Sequence, residues 1–296
     1  MTVPTPSQTT DRVLYHDIVV AEVAGFRPLM LDVAVPPGAS GATPVLVFVH
    51  GGGWQSGTPK RPSEWLQAAD PFTAALRAGF AIASAQYRFS AEAHFPAQLD
   101  DVKAAVRWLR RSGDALGLDV DRIGIWGESA GGHLGSLAAL TGTDDDDSRV
   151  QAAVCWYAPA NLSSMQRQAD PMAKDDHDAA DSAESLLIGG PLTQHPDRAR
   201  VASPISYVSP AAPPMLLIHG NRDLVVPVGQ SEELAAALRA AGAHVELSVI
   251  DGADHCFVGV SVAPIVDESL AFFVRILMPE TVVDNASDEP RCLPHA

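Results

Sequence analysis

A chain of 296 residues with 47% hydrophobic and 19% charged side chains has an ordinary globular composition with room for one large core. Its formal charge of −16, partly carried by Asp144 to Asp147 and by the acidic stretch from Asp170 to Glu184, disfavours nucleic acid and anionic membrane surfaces as partners. The three cysteines, Cys155, Cys256 and Cys292, are odd in number and share no close metal-type spacing, which argues against a disulfide framework or a zinc site and for a reducing, cytoplasmic setting.

Three strand-like runs open the chain, "VLYHDIVV", "LMLDVAV" and "PVLVFVH", with Pro36, Pro37 and Gly38 turning between the second and third. No basic start followed by an apolar stretch precedes them, and no segment has the length of a membrane span. Strands and helices then alternate. Helical spacing over Pro71 to Ala78 leads into "FAIASAQYR", and "LDDVKAAVRWLRRS" leads into "RIGIW". A helix after Ser129 precedes "VQAAVCWYA"; "PPMLLIHG", the helix "SEELAAALRAAG", the strand "HVELSVI" and a helix near Pro264 to Leu277 complete the series. This order predicts an α/β fold with a mostly parallel, eight-stranded sheet covered by helices on both faces.

The alternation fails between Ala158 and Ser209, where Met, Gln, Asp, His and Pro mix without strand or strong helix patterning. That segment is expected to be a small cap inserted in a single domain spanning 1–296, with Trp54 to Asp70 as an additional contributor and residues 279–296 as a loose, polar tail. The run Asp144 to Asp147 lacks the alternating ligands and turn glycine of a calcium loop and reads as a solvated loop, so no metal is expected.

"GESAGG", residues 127 to 132, lies where a strand meets a helix. Gly-x-Ser-x-Gly at such a junction makes a turn too tight for side chains on its flanks and holds Ser129 out at the carboxyl edge of the sheet. A hydroxyl is a weak nucleophile, so a base must take its proton and an acid must orient that base. Asp223, in the loop after "PPMLLIHG", and His255, in the loop after "HVELSVI", follow in the order serine, acid, histidine and reach the same edge. Asp251 and Asp254 compete for the role of acid but share the histidine's own loop; of the histidines weighed against His255, His219 lies on the strand before the acid and reads as packed or capping, His133 sits four residues into the helix and His50 opens the glycine loop. "HGGGW", His50 to Trp54, offers the N–H groups of Gly52 and Gly53, with that of Ala130, as an oxyanion hole.

Between about Val45 and Leu277 the chain resembles the α/β-hydrolase carboxylesterases, near the hormone-sensitive-lipase-like and acetyl-xylan or feruloyl esterase-like (BD-FAE-like) groups. "HGGGW", "YRFSAEAHFPAQLDDVKAAVRWLR", "GESAGGHLGSLAAL", "GNRDLVVP" and "GADHCF" carry the likeness. The resemblance implies a triad of Ser129, Asp223 and His255, and a serine carboxylesterase acting on short- to medium-chain esters through an acyl-enzyme. Phe89, His94 and the segment 158–209 depart from the relatives. The rival readings are an arylformamidase acting on N-formylkynurenine, an acetyl-xylan or feruloyl esterase, a peptidase, and a ligand-binding protein on a hydrolase scaffold.

The expected partner is a small-molecule ester, with no cofactor, nucleic acid or membrane; a homodimer is left open. Arg88 paired with Asp100 or Asp101 is expected to brace the glycine loop, and Glu128 to act as a second brace. Trp54 and Phe257 are the expected substrate-binding walls, with Trp65 and Trp156 as further aromatic candidates.

Overall fold

A computed structural model describes residues 5–39, 42–173 and 175–278. Cys292 and the expected tail lie outside the described residues. Among the described residues nine strands form one sheet: β1 (Ser7–Gln8), β2 (Val13–Ala21), β3 (Leu29–Val35), β4 (Thr43–Val49), β5 (Ala81–Ala85), β6 (Leu118–Glu128), β7 (Ala152–Trp156), β8 (Met215–Gly220) and β9 (Val245–Ile250). The ninth is β1, a two-residue edge strand paired antiparallel to β2, which corrects the expected count of eight. Two exposed polar residues leave no alternating pattern to read.

The helices are α1 (Pro71–Arg77), α2 (Ala97–Ser112), α3 (Ala130–Thr141), α4 (Met165–Gln168), α5 (Ala183–Ile188), α6 (Pro196–Val201), α7 (Gly229–Ala240) and α8 (Ala263–Leu277). The sheet order is β1-β2-β3-β5-β4-β6-β7-β8-β9. From β1 to β5 neighbours are antiparallel, and from β5 through β4 to β9 they are parallel.

Strand pleating divides the core. Val45, Val47 and Val49 of β4 face one apolar layer with α2, α3 and α7, while Leu46 and Phe48 face the other with α1 and α8. Successive strands buried on both faces explain why "PVLVFV" reads as an unbroken apolar run. The chain leaves β4 toward β5 on one side and later adds β6 on the other. Strand order therefore reverses between β4 and β6, and the loops after their carboxyl ends border a crevice of the kind that binds ligands in open α/β sheets. Those two loops are "HGGGW" and "GESAGG".

The described residues of 158–209 fold as three α-helices of four to six residues and two short 3₁₀ helices, Leu162–Ser164 and Pro204–Tyr207. Leu187, Ile188, Leu192, Ala199 and Ala202 belong to the same apolar layer as α3, so the segment packs directly onto the sheet's helical cover. Its later half is tied down by His133 Nε2, which donates to the Ala202 carbonyl at 2.7 Å, and by Ser203 Oγ, which accepts from Leu162 N–H at 3.0 Å.

Candidate active site

Ser129 sits between β6 and α3 with φ 51° and ψ −120°, a strained backbone that an L-residue holds only when its surroundings enforce it. Those surroundings require glycine on both flanks. A Cβ on Gly127 would lie 2.2 Å from the Gly131 carbonyl oxygen, and one on Gly131 would lie 2.0 Å from the Val49 carbonyl oxygen. Both obstacles are backbone, so neither can swing aside. Ser129 N–H donates to the Trp156 carbonyl at 2.9 Å, which pins the turn to β7.

Ser129 Oγ lies 3.1 Å from His255 Nε2, and His255 Nδ1 lies 2.8 Å from Asp223 Oδ2. With Nδ1–H donating to the anion, Nε2 is left as the acceptor that faces the hydroxyl, the tautomer a general base needs. Asp223 is fully buried at its side chain. Its Oδ1 accepts from the N–H groups of Val225 at 2.9 Å and Val226 at 2.7 Å, and its Oδ2 also lies 3.3 Å from His219 Nε2. Burial alone would raise its pKa, but hydrogen bonds from His219 and His255 outweigh burial and hold the carboxyl well below the usual carboxylate range.

The competing acids do other work. Asp254 Oδ1 accepts from the N–H groups of Leu224 and His255, tying the acid loop to the histidine loop, and Asp251 accepts from Asn221 Nδ2. Nor do the other weighed histidines approach the serine. His133 is completely buried, accepts from Trp54 Nε1 at 3.2 Å, and burial lowers its pKa to about 4. His50 stacks on Tyr87 at 4.4 Å and is likewise pushed down to about 4 by burial.

His219 is the contributor that sequence reasoning passed over as packing. Its Nδ1 accepts from Ser231 Oγ at 2.7 Å, its Nε2 donates to the Val226 carbonyl at 2.8 Å, and it holds the loop that presents Asp223. The spacing of four residues in "HGNRD" was the available signal.

The N–H groups of Gly52 and Gly53 find no partner among the described residues, and Ala130 opens α3, where the first N–H groups have no intrahelical acceptor. These free donors border the cavity space next to Ser129. The glycine loop is braced by Tyr87, whose hydroxyl donates to the carbonyls of His50 at 3.0 Å and Gly51 at 3.3 Å. Arg88 pairs with Asp101 and not Asp100, through Nη2 to Oδ1 at 2.7 Å and Nε to Oδ2 at 2.8 Å. That pair anchors the start of α2, and the direct contacts with the loop come from Tyr87 and from Ser90, whose N–H donates to the Trp54 carbonyl at 2.8 Å. Glu128 Oε2 accepts from Ser63 Oγ at 3.0 Å and Tyr157 OH at 3.1 Å, while its Oε1 has no partner among the described residues. Burial raises its pKa above the ordinary carboxylate range.

Ser129 lies where two cavities meet. One, of about 440 Å³, runs past Gly53, Trp54, Ala130 and Pro159 to Asp175, His177 and Glu184; the other, of about 410 Å³, is walled by Gly52, Arg61, Trp65, Glu128, His255 and Cys256. Trp54 is 2% exposed and forms part of the floor of the first cavity. Phe257, 1% exposed, lines neither of them. It packs on Trp156 and Tyr157 beneath the histidine loop, which corrects the expected binding role, and Trp156 is equally buried. Trp65, at 62% exposure, is the aromatic side chain presented to the second cavity.

Asp146 and Asp147 pair with Lys103, Arg107 and Arg111 of α2, and Asp144 pairs with Arg149 just past the acidic run. Among the described residues no helix is long and apolar enough to cross a membrane.

A family profile, BD-FAE, matches residues 31–238. Esterase LipQ of Mycobacterium tuberculosis is 34% identical over 244 residues, covering 79% of this chain and 55% of that protein. The chain spans about half the length of the curated relatives it matches. A truncated carbohydrate esterase from gut microbiota superposes with a TM-score of 0.78 at 28% identity, over 92% of this chain and 99% of that one. Thermogutta terrifontis esterase 2 phosphonylated by sarin superposes with a TM-score of 0.69 at 26% identity, over 88% and 94%. With the sheet order, the serine turn and a profile match across most of its length, the chain belongs to the BD-FAE family of α/β-hydrolases.

Proposed function

We propose that the protein is a serine carboxylesterase that hydrolyses short- to medium-chain carboxylic esters through an acyl-enzyme. The observation that carries this reading is the continuous hydrogen-bonded chain Ser129–His255–Asp223 beside unpartnered N–H groups. Ser129 Oγ attacks the ester carbonyl as His255 Nε2 takes its proton. Asp223 keeps the imidazole in place and stabilises its charged form. The N–H groups of Gly52, Gly53 and Ala130 receive the oxyanion. His255 then protonates the departing alcohol, and water, activated by the same ring, releases the acid.

Esterases among the curated relatives and a phosphonylated esterase among the matched folds support this chemistry. We read residues 158–209 as a cap on a single domain. The reading rests on its position beside the 440 Å³ cavity, where exposed Asp175, Asp176 and Asp181 make a poor surface for long lipid chains. The buried or half-buried free thiols Cys155 and Cys256 support a cytoplasmic setting. A second reading, an ester of a carbohydrate, is favoured by the carbohydrate esterase likeness.

Ser129→Ala in an assay of p-nitrophenyl acetate, butyrate, octanoate and palmitate tests the proposal. The expected loss is about 10³-fold or more in kcat with the fold retained. Wild-type activity should be greatest with the short acyl groups. A variant within tenfold of wild type, or a maximum at palmitate, contradicts the reading.

A further inference from the structure

The two cavities that meet at Ser129 are chemically unequal, and proton transfer decides how they are used. His255 lines the 410 Å³ cavity and is absent from the lining of the 440 Å³ cavity. The proton that leaves Ser129 Oγ resides on His255 Nε2 and must next reach the leaving oxygen, so that oxygen has to sit within hydrogen-bond reach of the ring. Its carbon substituent then extends into the space His255 borders. The acyl substituent, on the other side of the carbonyl carbon, extends past Ala130 into the cavity bounded by Trp54, Pro159 and Ala183.

We propose that the leaving alcohol occupies the cavity walled by Trp65 and the acyl group the cavity walled by Ala183, with Trp65 as the residue that selects alcohols bearing a flat apolar face. This assignment rests on the esterase reading above. Acylation forms the Oγ–acyl bond and breaks the acyl–O bond of the ester, the alkoxide taking the proton from His255. In deacylation water enters the vacated alcohol side, gives a proton to Nε2 and its oxygen to the acyl carbon; the acyl–Oγ bond then breaks and Ser129 Oγ takes that proton from Nε2.

Trp65 is built to serve as a platform. It stands on a single 3₁₀ turn, Glu64–Leu66, held from below by Leu66, which is completely buried in the core, and from the side by Ser63 Oγ, which donates to Glu128. Among the described residues no aromatic ring pairs with it. A large, mostly exposed ring on an anchored turn, in the wall of the cavity that the reacting serine also lines, gains burial and stacking when a flat group lies on it. On the acyl side, Ala183 lies opposite Gly53, its Cβ 3.7 Å from where a Gly53 Cβ would stand, so enlarging Ala183 narrows that cavity beside the serine.

The test follows two ratios in wild type, Trp65→Ala and Ala183→Leu, with Ala183→Val as the milder variant should the first fail to fold. Titration of released acid gives kcat/KM for benzyl against ethyl acetate and for ethyl butyrate against ethyl acetate. Trp65→Ala should lower the benzyl-to-ethyl ratio about tenfold, as expected for loss of an aromatic contact, and hold the butyrate-to-acetate ratio. The Ala183 variants should lower the butyrate-to-acetate ratio by a factor of ten or more and hold the benzyl-to-ethyl ratio. Exchanged responses, both ratios moving in one variant, or neither moving in either, overturn the assignment. Ser129→Ala run alongside separates the two levels: activity surviving there sinks the esterase reading, whereas a dead Ser129→Ala with exchanged ratios sinks only the assignment of the cavities.

Discussion

Replacing Asp223 by asparagine puts the proposed mechanism under the sharpest stress, because each carboxylate oxygen has a distinct duty. Oδ1 accepts from two backbone N–H groups, Val225 and Val226, and Oδ2 accepts from His255 Nδ1 at 2.8 Å with His219 Nε2 3.3 Å away. An amide has one acceptor and one donor end. If its NH2 took the Oδ1 position, it would face two N–H donors, that of Val226 buried and that of Val225 partly buried, and leaving the buried one unsatisfied costs about 1–3 kcal/mol. The NH2 therefore turns toward His255. Nδ1 must then accept, the ring proton moves to Nε2, and Nε2 can no longer take the proton of Ser129. Loss of the correct tautomer and of the anion is worth about 10⁴-fold in kcat, or roughly 5.5 kcal/mol of barrier. Steady-state hydrolysis of p-nitrophenyl acetate measures the effect, with thermal melting as a check on the fold. Activity within tenfold of wild type in a folded variant, or the larger loss in Asp254→Asn or Asp251→Asn, would refute the assignment of the acid.

Gly131→Ala should destabilise the protein by about 3 kcal/mol and abolish hydrolysis, since its Cβ would stand 2.0 Å from the Val49 carbonyl oxygen; urea denaturation showing a loss under 1 kcal/mol contradicts the close packing. Glu128 has a raised folded-state pKa, so its contribution to stability is complete at acid pH and fades as pH rises through that raised value. Melting temperatures of Glu128→Gln and wild type should accordingly converge or cross in the variant's favour as pH rises, and a variant that loses ground with rising pH would show the sign to be wrong. EDTA should leave ester hydrolysis within twofold, because the proposed steps use only Ser129, His255, Asp223 and backbone donors; a loss that zinc restores counts against them.

The parts of the fold and site legible in the sequence are those whose physics is local. The stretch "PVLVFV" announces a doubly buried strand, and the paired glycines of "GESAGG" announce a turn where backbone approaches backbone. Asp223 and His255 could be picked out because loops that follow parallel strands all emerge at one edge, and the structure brings both to Ser129. What escaped reading depends on distant neighbours. Phe257 and Trp65 are both aromatic residues near site motifs, yet one lies under Tyr157 in the core and the other on a 3₁₀ turn at a cavity wall. Nothing within a few residues of either distinguishes them. The helices of 158–209, at four to six residues, are too short to display a period of 3.6, and their burial comes from packing on α3. Arg88 had two adjacent acids to choose from, and only the phase of α2 turns Asp101 inward.

Two buried carboxyls flank Ser129, and their opposite environments set what each can do. Asp223 receives hydrogen bonds from two backbone N–H groups and two imidazoles, so its charge is compensated and its pKa is driven down despite burial. Glu128 accepts from the hydroxyls of Ser63 and Tyr157, and its Oε1 has no partner among the described residues; burial outweighs its hydrogen bonds and its pKa is driven up. The consequence is directional. In the proposed mechanism, when His255 gains the proton of Ser129, the compensated anion lies on its Nδ1 side, 2.8 Å away. The Tyr157 ring lies 4.8 Å from that of His255 and its hydroxyl donates to Glu128, so that one residue both walls the base and gives Glu128 one of its donors.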